Sequence, residues 1–207
     1  MRIVAVSDTH GMWDQITVPE GDVLVHAGDI TGRGGVSELA AFNEWLGRQP
    51  HTHKVVIAGN HDWAFERSPT LARSVLTHGT YLQDEAVVLD GVRFYGSPWQ
   101  PRFFDWAFNL DRGEPLRQVW SRIPKDTEVL VTHGPAFESL DVTNEGMRVG
   151  CEELQTAIRG LNSLKAHIFG HIHHSYGIVG KRGIVYANAS VCDEGYRPLN
   201  PPHVFDL

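Results

Sequence analysis

Five places along the chain carry side chains suited to holding cations, and all five share one form. Val55-Val56-Ile57 runs through Ala58-Gly59 into Asn60, His61 and Asp62, a carboxamide, an imidazole and a carboxylate in direct succession. The apolar run reads as a buried strand and Gly59-Asn60 as its exit turn. In the same way Ile3 to Ser7 leads into Asp8-Thr9-His10, and Val23 to Ala27 into Gly28-Asp29. Val129 to Thr132 leads into His133-Gly134-Pro135, and Ala166 to Phe169 into Gly170-His171-Ile172-His173. Polar groups crowded at strand ends pack poorly in a core, but the carboxyl edge of an open α/β sheet is where ligands bind. Oxygen and imidazole donors without thiolate suit hard-to-borderline divalent cations. In Asp8-Thr9-His10 and His171-Ile172-His173 an extended backbone sends the two outer side chains to one side and the middle one to the other. Five such endings over the whole chain point to one convergent cluster of metal ligands.

The elements that must position these residues follow from apolar spacing. Strands are expected over Met1–Ser7, Asp22–Ala27 and Val55–Ile57. Later ones are expected over Val87–Leu89, Val92–Tyr95, Val129–Thr132, Ala166–Phe169, Tyr176–Val179, Gly183–Ala187 and His203–Phe205. Asp90-Gly91 between two of these is a hairpin signal. Ser37 reads as the N-cap of a helix carrying Leu39, Phe42, Trp45 and Leu46, and Ser68-Pro69 opens a second helix. Further helices are expected around Leu116–Ile123 and Glu152–Arg159, with a long polar loop at 136–150. Helices between early strands, then a hairpin-rich portion, indicate α/β layering with a mixed sheet or two packed sheets. No linker is apparent, so residues 1–207 read as one domain.

Composition narrows the classes of function. A chain of 207 residues with 42% hydrophobic content can bury a real core. The net charge is -7 and only four of the eighteen basic residues are Lys, which disfavours binding to long nucleic acid. Cys151 and Cys192 lie in no zinc spacing and read as free buried thiols of a reducing compartment. The amino terminus enters a strand without a signal-like segment, and no apolar run reaches membrane-spanning length. The expectation is a cytoplasmic protein with no membrane partner.

In order, the pattern is D-x-H, G-D, G-N-H-D, T-H-G-P and G-H-x-H, and it resembles the calcineurin-like metallophosphoesterase superfamily. Asp8, His10, Asp29, Asn60, His61, His133, His171 and His173 each match one of its motif positions. The resemblance implies an α/β fold of four layers, an αββα sandwich of two mixed sheets flanked by helices, with the metal site at strand carboxyl ends. It implies two divalent metal ions, Mn²⁺ first, with Fe, Zn, Co or Ni as alternatives. Asp29 would bridge them. Asp8, His10 and His173 would complete the first metal's shell, and Asn60, His133 and His171 the second's. The implied mechanism is hydrolysis by a metal-bridging hydroxide, with His61 over the substrate as general acid on the leaving oxygen.

The likeness extends over nearly the whole chain to one branch, small single-domain metallophosphoesterase-domain proteins, some named from brain or fetal-brain expression. Tyr95-Gly96-Ser97-Pro98-Trp99, Arg148-Val149-Gly150-Cys151 and Ala187-Asn188-Ala189-Ser190 carry it. This implies a phosphodiesterase acting on small phosphodiesters, cyclic nucleotides (2′,3′ or 3′,5′) among them. A phosphomonoesterase or nuclease using the same site is the alternative. A non-catalytic scaffold should lack His61 or His171, and both are present. Protein serine/threonine phosphatases carry an aspartate at the position of Gly32, where it orients the catalytic histidine; here Asp62 or a backbone carbonyl is left to do so. Among the aromatics Phe94 to Phe108, Trp99 is the candidate substrate wall and the others read mostly as core. Asn109 and Arg148 read as solvated loop residues, with phosphate contact the alternative. His26, His167 and His174 read as structural or capping groups, and His51, His53, His78 and His203 as surface residues.

Overall fold

The computed structural model describes residues 1–207. In the first half β1 (Arg2–Val6), β2 (Val23–Ala27), α1 (Val36–Gly47), β3 (His53–Ile57), α2 (Trp63–Arg67), α3 (Pro69–Val75) and β4 (Thr80–Tyr81) follow one another. The hairpin β5 (Glu85–Leu89) and β6 (Val92–Ser97) leads to two short strands, β7 (Gln100–Pro101) and β8 (Asn109–Leu110). The remainder is α4 (Glu114–Trp120), β9 (Val129–Thr132), α5 (Glu152–Ile158), β10 (Ala166–Phe169), β11 (Gly177–Lys181), β12 (Ile184–Asn188) and β13 (His203–Asp206).

Two mixed sheets result. One has the order β13-β1-β2-β3-β4, parallel except for β13. The other has the order β11-β12-β10-β9-β6-β5, parallel inside with an antiparallel strand at each edge. The alternation of side chains along each strand sorts them into three apolar layers. Val4, Val6, Leu24 and Val56 pack outward against Leu39, Phe42 and Leu46 of α1 and Phe65 of α2. Ile3, Ala5, Val25 and Ile57 pack inward against Phe94, Val131 and Ile168 of the second sheet. Tyr95, Leu130 and Phe169 meet Leu116 and Trp120 of α4 and Leu154 of α5 on the far side. The architecture is therefore the four-layer αββα sandwich. Central strands buried on both faces explain why they read as continuous apolar runs. Each fully buried Phe or Leu there contributes about 1.5–3 kcal/mol.

Asp90 and Gly91 both have positive φ, 47° and 84°, as a two-residue hairpin turn of this hand demands. Ser37, by contrast, lies inside the first turn of α1 and does not cap it. Gly35, in extended conformation, occupies the cap position without a side-chain bond. The five-residue α2 and the two-residue strands β4, β7 and β8 are too short to leave an apolar period in the sequence. Segment 136–150 holds no helix or strand, as expected, only the isolated bridges of Ala136 with Cys151 and Val142 with Arg148. Both cysteines are free and buried. No helix is long and apolar enough to cross a membrane.

Candidate metal centre

Because β1, β2 and β3 are parallel, as are β9 and β10, their carboxyl ends converge on one edge of the sandwich. All eight expected residues meet there. Ligand atoms of Asp8, His10 and His173 lie within 4.8 Å of one another, and so do those of Asp29, His133 and His171. Asp29 stands between the groups: its Oδ2 is 3.4 Å from His133 Nε2 and 3.8 Å from His10 Nε2. Asn60 Oδ1 lies 2.9 Å from His133 Nε2.

The backbone reaches this arrangement by left-handed turns, not by the extended alternation expected from D-x-H and H-x-H. Asp8, His10, Asp29 and His171 have φ of 54°, 45°, 53° and 69°. Four such residues in one cluster are a concentration of backbone strain of the kind found at functional sites. Of the middle residues Thr9 turns away, whereas Ile172, expected to point into the core, lines the cavity over the site. Thr9 donates to Ile30 O and bonds His26 Nε2 at 2.9 Å. The hydroxyl of Thr132 similarly donates to Gly134 O and meets His167 Nε2 at 2.7 Å. Each threonine proton is already spent on a carbonyl, so each histidine must donate from Nε2. His26 and His167 are thus structural, holding the residues beside Asp8, His10 and His133.

Second partners aim two of these imidazole nitrogens. His133 Nδ1 donates to Ala27 O at 3.0 Å and His173 Nδ1 to Asp193 O at 2.9 Å, which turns both Nε2 atoms inward. His10 Nε2 and His173 Nε2 face each other at 3.3 Å, and His10 Nδ1, though buried, has no partner. Converging imidazole nitrogens and buried carboxylates, with no thiolate, fit a pair of borderline divalent cations.

The charges are consistent with that. Burial pulls His133 down, but the Asp29 carboxylate beside it prevails and holds it up at about 9. Burial opposed by the Asp8 hydrogen bond and charge leaves His173 likewise at about 9. Burial keeps His10 at about 4 and His171 at about 3, neutral at pH 7. A cation needs free lone pairs, so at pH 7 metal binding is expected to displace about two protons, from His133 and His173. Affinity should rise with pH toward 9. Calorimetric titration with Mn²⁺ in buffers of different ionisation enthalpy reads the number directly; release of no protons would remove these two imidazoles from the ligand set.

His61 also borders the cluster, with a ring nitrogen within 4.8 Å of ligand atoms of His10 and Asp29, but its remaining contacts differ from those of the other histidines. Its backbone N–H donates to Asp29 Oδ1 at 2.8 Å, and its Nδ1 lies 3.0 Å from Gly32 O. Trp106 stacks on the ring with centroids 4.3 Å apart and planes at 26°. Asp62 does not orient it. That carboxylate accepts from the N–H groups of Ile30, Thr31 and Gly59, tying two site loops together, and burial beside Asp29 pushes it up to about 6. The orienting group is the carbonyl of Gly32.

A cavity of about 350 Å³ lies over the cluster. Tyr196 stands edge-on to His10 at 4.7 Å and Phe103 edge-on to His171 at 5.4 Å. They are 50% and 45% exposed, enough to meet a bound molecule. Trp99 is not part of this wall. Its indole N–H donates to Asp84 and its ring packs edge-on against Phe108. Asn109 bonds the backbone of Phe103 and Phe104 and so shapes the rim, while Arg148 is paired with Asp141 at 2.6 Å. Of the remaining histidines, His78 is exposed, as expected, whereas His174, expected to be structural or capping, is exposed on the cavity wall instead. His51 is buried instead, bonded to Pro19 O, and His203 is half-buried on Asn188 O. Trp106, Tyr196 and the Gly32 carbonyl were not identified from sequence. Trp106 lies within the aromatic run of 94–108, but Tyr196 and a backbone carbonyl leave no composition or period to find.

Two clusters of imidazole and carboxylate at the strand ends of an αββα sandwich, under an open cavity, define a metal-dependent hydrolase. Residues 1–175, which contain all eight cluster residues, match the family described as calcineurin-like phosphoesterase. The chain belongs to that family of phosphoester hydrolases, which typically bind two divalent metal ions. It is 44% identical over 230 residues to human metallophosphoesterase domain-containing protein 1, covering 100% of this chain and 71% of that one. It is 37% identical over 219 residues to UPF0046 protein K07C11.7 of Caenorhabditis elegans, covering 99% and 74%. Among solved structures, TT1561 of Thermus thermophilus superposes with a TM-score of 0.64 at 13% identity, over 99% of this chain and 98% of that one. At that identity the likeness is one of fold.

Proposed function

We propose that the protein, one catalytic domain over residues 1–207, is a two-metal phosphodiesterase acting on small phosphodiesters, cyclic nucleotides foremost. Asp8, His10 and His173 would hold one ion and Asn60, His133 and His171 the other, with Asp29 shared between the two groups. Such ions, Mn²⁺ first among the candidates, would supply Lewis-acid stabilisation of the phosphoryl oxygens and a lowered pKa for bound water. The chain's own part is positioning and proton delivery. His61 keeps its Nδ1 proton on Gly32 O, so Nε2 is the atom that delivers a proton to the departing ester oxygen.

The observation that favours diesters is the state of the cavity's two arginines. Arg102 is paired with Asp111 at 2.7 Å. Arg112 is bound to the carbonyls of Val149 and Gly150 and to Glu152. With both already paired, if only in exposed bridges, the balance favours a monoanionic diester over the dianion of a phosphomonoester. Tyr196 and Phe103 offer faces or edges for a base. The two free buried cysteines suit a reducing, cytoplasmic setting. Protein reconstituted with Mn²⁺ is expected to hydrolyse bis-p-nitrophenyl phosphate and the 2′,3′- or 3′,5′-cyclic nucleotides at least about tenfold faster in kcat/KM than p-nitrophenyl phosphate. Faster turnover of the monoester would overturn the diester assignment.

A further inference from the structure

The carbonyl that orients His61 is itself held by a carboxylate. The Gly32 carbonyl shares its peptide unit with the N–H of Arg33. That N–H donates to Glu38 Oε2 at 3.2 Å, and the N–H of Gly32 donates to Glu38 Oε1 at 2.6 Å. Read outward from the site, the chain of bonds is His61 Nδ1–H to Gly32 O, across one peptide, then Arg33 N–H to the Glu38 carboxylate. An amide whose N–H donates to an anion is a stronger acceptor at its oxygen, because aligned hydrogen bonds polarise one another. Resting on the general-acid reading of His61, we propose that Glu38 is its positioning residue, acting through the Gly32–Arg33 peptide.

The relay stands where the resemblance leaves a gap: Gly32 occupies the position at which protein phosphatases carry the orienting aspartate. Glu38 lies in the first turn of α1, where an acidic side chain also favours the helix dipole. A role confined to that would leave the imidazole unaffected, which is what the test separates. The ring is otherwise held by Trp106 on its face and by His10 edge-on at 4.6 Å, contacts that fix the plane but not which nitrogen carries the proton.

The experiment compares methyl p-nitrophenyl phosphate with methyl phenyl phosphate, whose leaving phenolate needs a proton far more. In the Mn²⁺-loaded enzyme, Glu38→Gln is expected to lower kcat on the phenyl ester about tenfold and on the nitrophenyl ester less than about twofold, with KM unchanged. His61→Ala should show the same dependence on leaving group more strongly. In the metal-free protein, ¹⁵N shifts of the His61 ring, assigned by their loss in His61→Ala, should move in Glu38→Gln from the Nδ1–H tautomer toward Nε2–H. Equal rate losses on both esters with an unmoved tautomer, or a lowered melting temperature alone, would overturn the relay while His61→Ala upholds the acid. Equal losses on both esters in His61→Ala would instead remove the acid reading and the relay with it.

Discussion

Gly170→Ala is expected to empty the metal position that Asp8 serves and lower activity about 10²–10³-fold, although the new methyl touches no substrate. Gly170 follows β10 and passes directly beneath the Asp8 carboxylate. A Cβ there would overlap Asp8 Oδ2 and Ser7 Oγ and lie 2.7 Å from Ser7 Cβ. Asp8 cannot move aside freely. It is fully buried, it accepts from the His171 N–H at 3.1 and 3.0 Å, and Ser190 Oγ donates to it at 2.9 Å. Forcing it out breaks those bonds and separates it from His173. Overpacking of this kind costs about 1–3 kcal/mol, or about 2–4 °C of melting temperature per kcal/mol in a chain of this size. Gly180→Ala, where a Cβ would meet nothing within 4 Å, should change neither quantity. Scanning calorimetry and metal analysis of the two variants decide the matter; wild-type metal content in Gly170→Ala would show that the carboxylate adapts.

Such a prediction could not be made from sequence, which shows Gly170 only as a turn residue after an apolar run. The strands were legible because burial on both faces writes continuous Val, Ile and Leu runs, and the candidate cluster because each such run ends in Asp, Asn or His. The convergence of Asp8, Asp29, Asn60 and the histidines follows from parallel strands sharing one carboxyl edge. How they converge was not legible. D-x-H suggested strand alternation, whereas Asp8 and His10 turn inward through left-handed backbone, their N–H groups donating to Gly28 O and Asp29 O, a choice that no local period records.

The same limit explains the substrate wall. Trp99 and Trp106 lie seven residues apart in one aromatic run, with nothing in their neighbours to rank them. The carboxylate of Asp84, reached across the sheet, claims the Trp99 indole, while Trp106 falls on His61. Asp62 was a reasonable candidate to orient His61 by adjacency. Adjacent residues at a strand exit diverge, however, and its carboxylate serves the 30–31 loop instead. Contacts made by backbone atoms of distant loops, such as Gly32 O on His61 or Asp193 O on His173, carry no side-chain signature at all.

The largest single loss is expected at Asp29. Its Oδ2 lies 3.8 and 3.4 Å from Nε2 atoms of the two ligand groups, while its Oδ1 accepts the His61 N–H. Burial alone would raise its pKa, but His133 beside it holds the carboxyl well below the usual carboxylate range, so it is an anion at neutral pH. Asp29→Asn keeps the shape and the acceptor for His61 but removes the charge and the second strong donor oxygen. If Asp29 bridges, both ions weaken together: metal content should fall from about two per chain to below about one, and kcat by about 10³ or more, roughly 4 kcal/mol of transition-state stabilisation. Asn60→Ala, on one side of the bridge, should lower occupancy of one site only, leaving about one ion bound. Mass-spectrometric metal counting on both variants separates the cases. Two ions retained in Asp29→Asn would mean the clusters bind independently, and the two-metal mechanism would lose the residue that joins them.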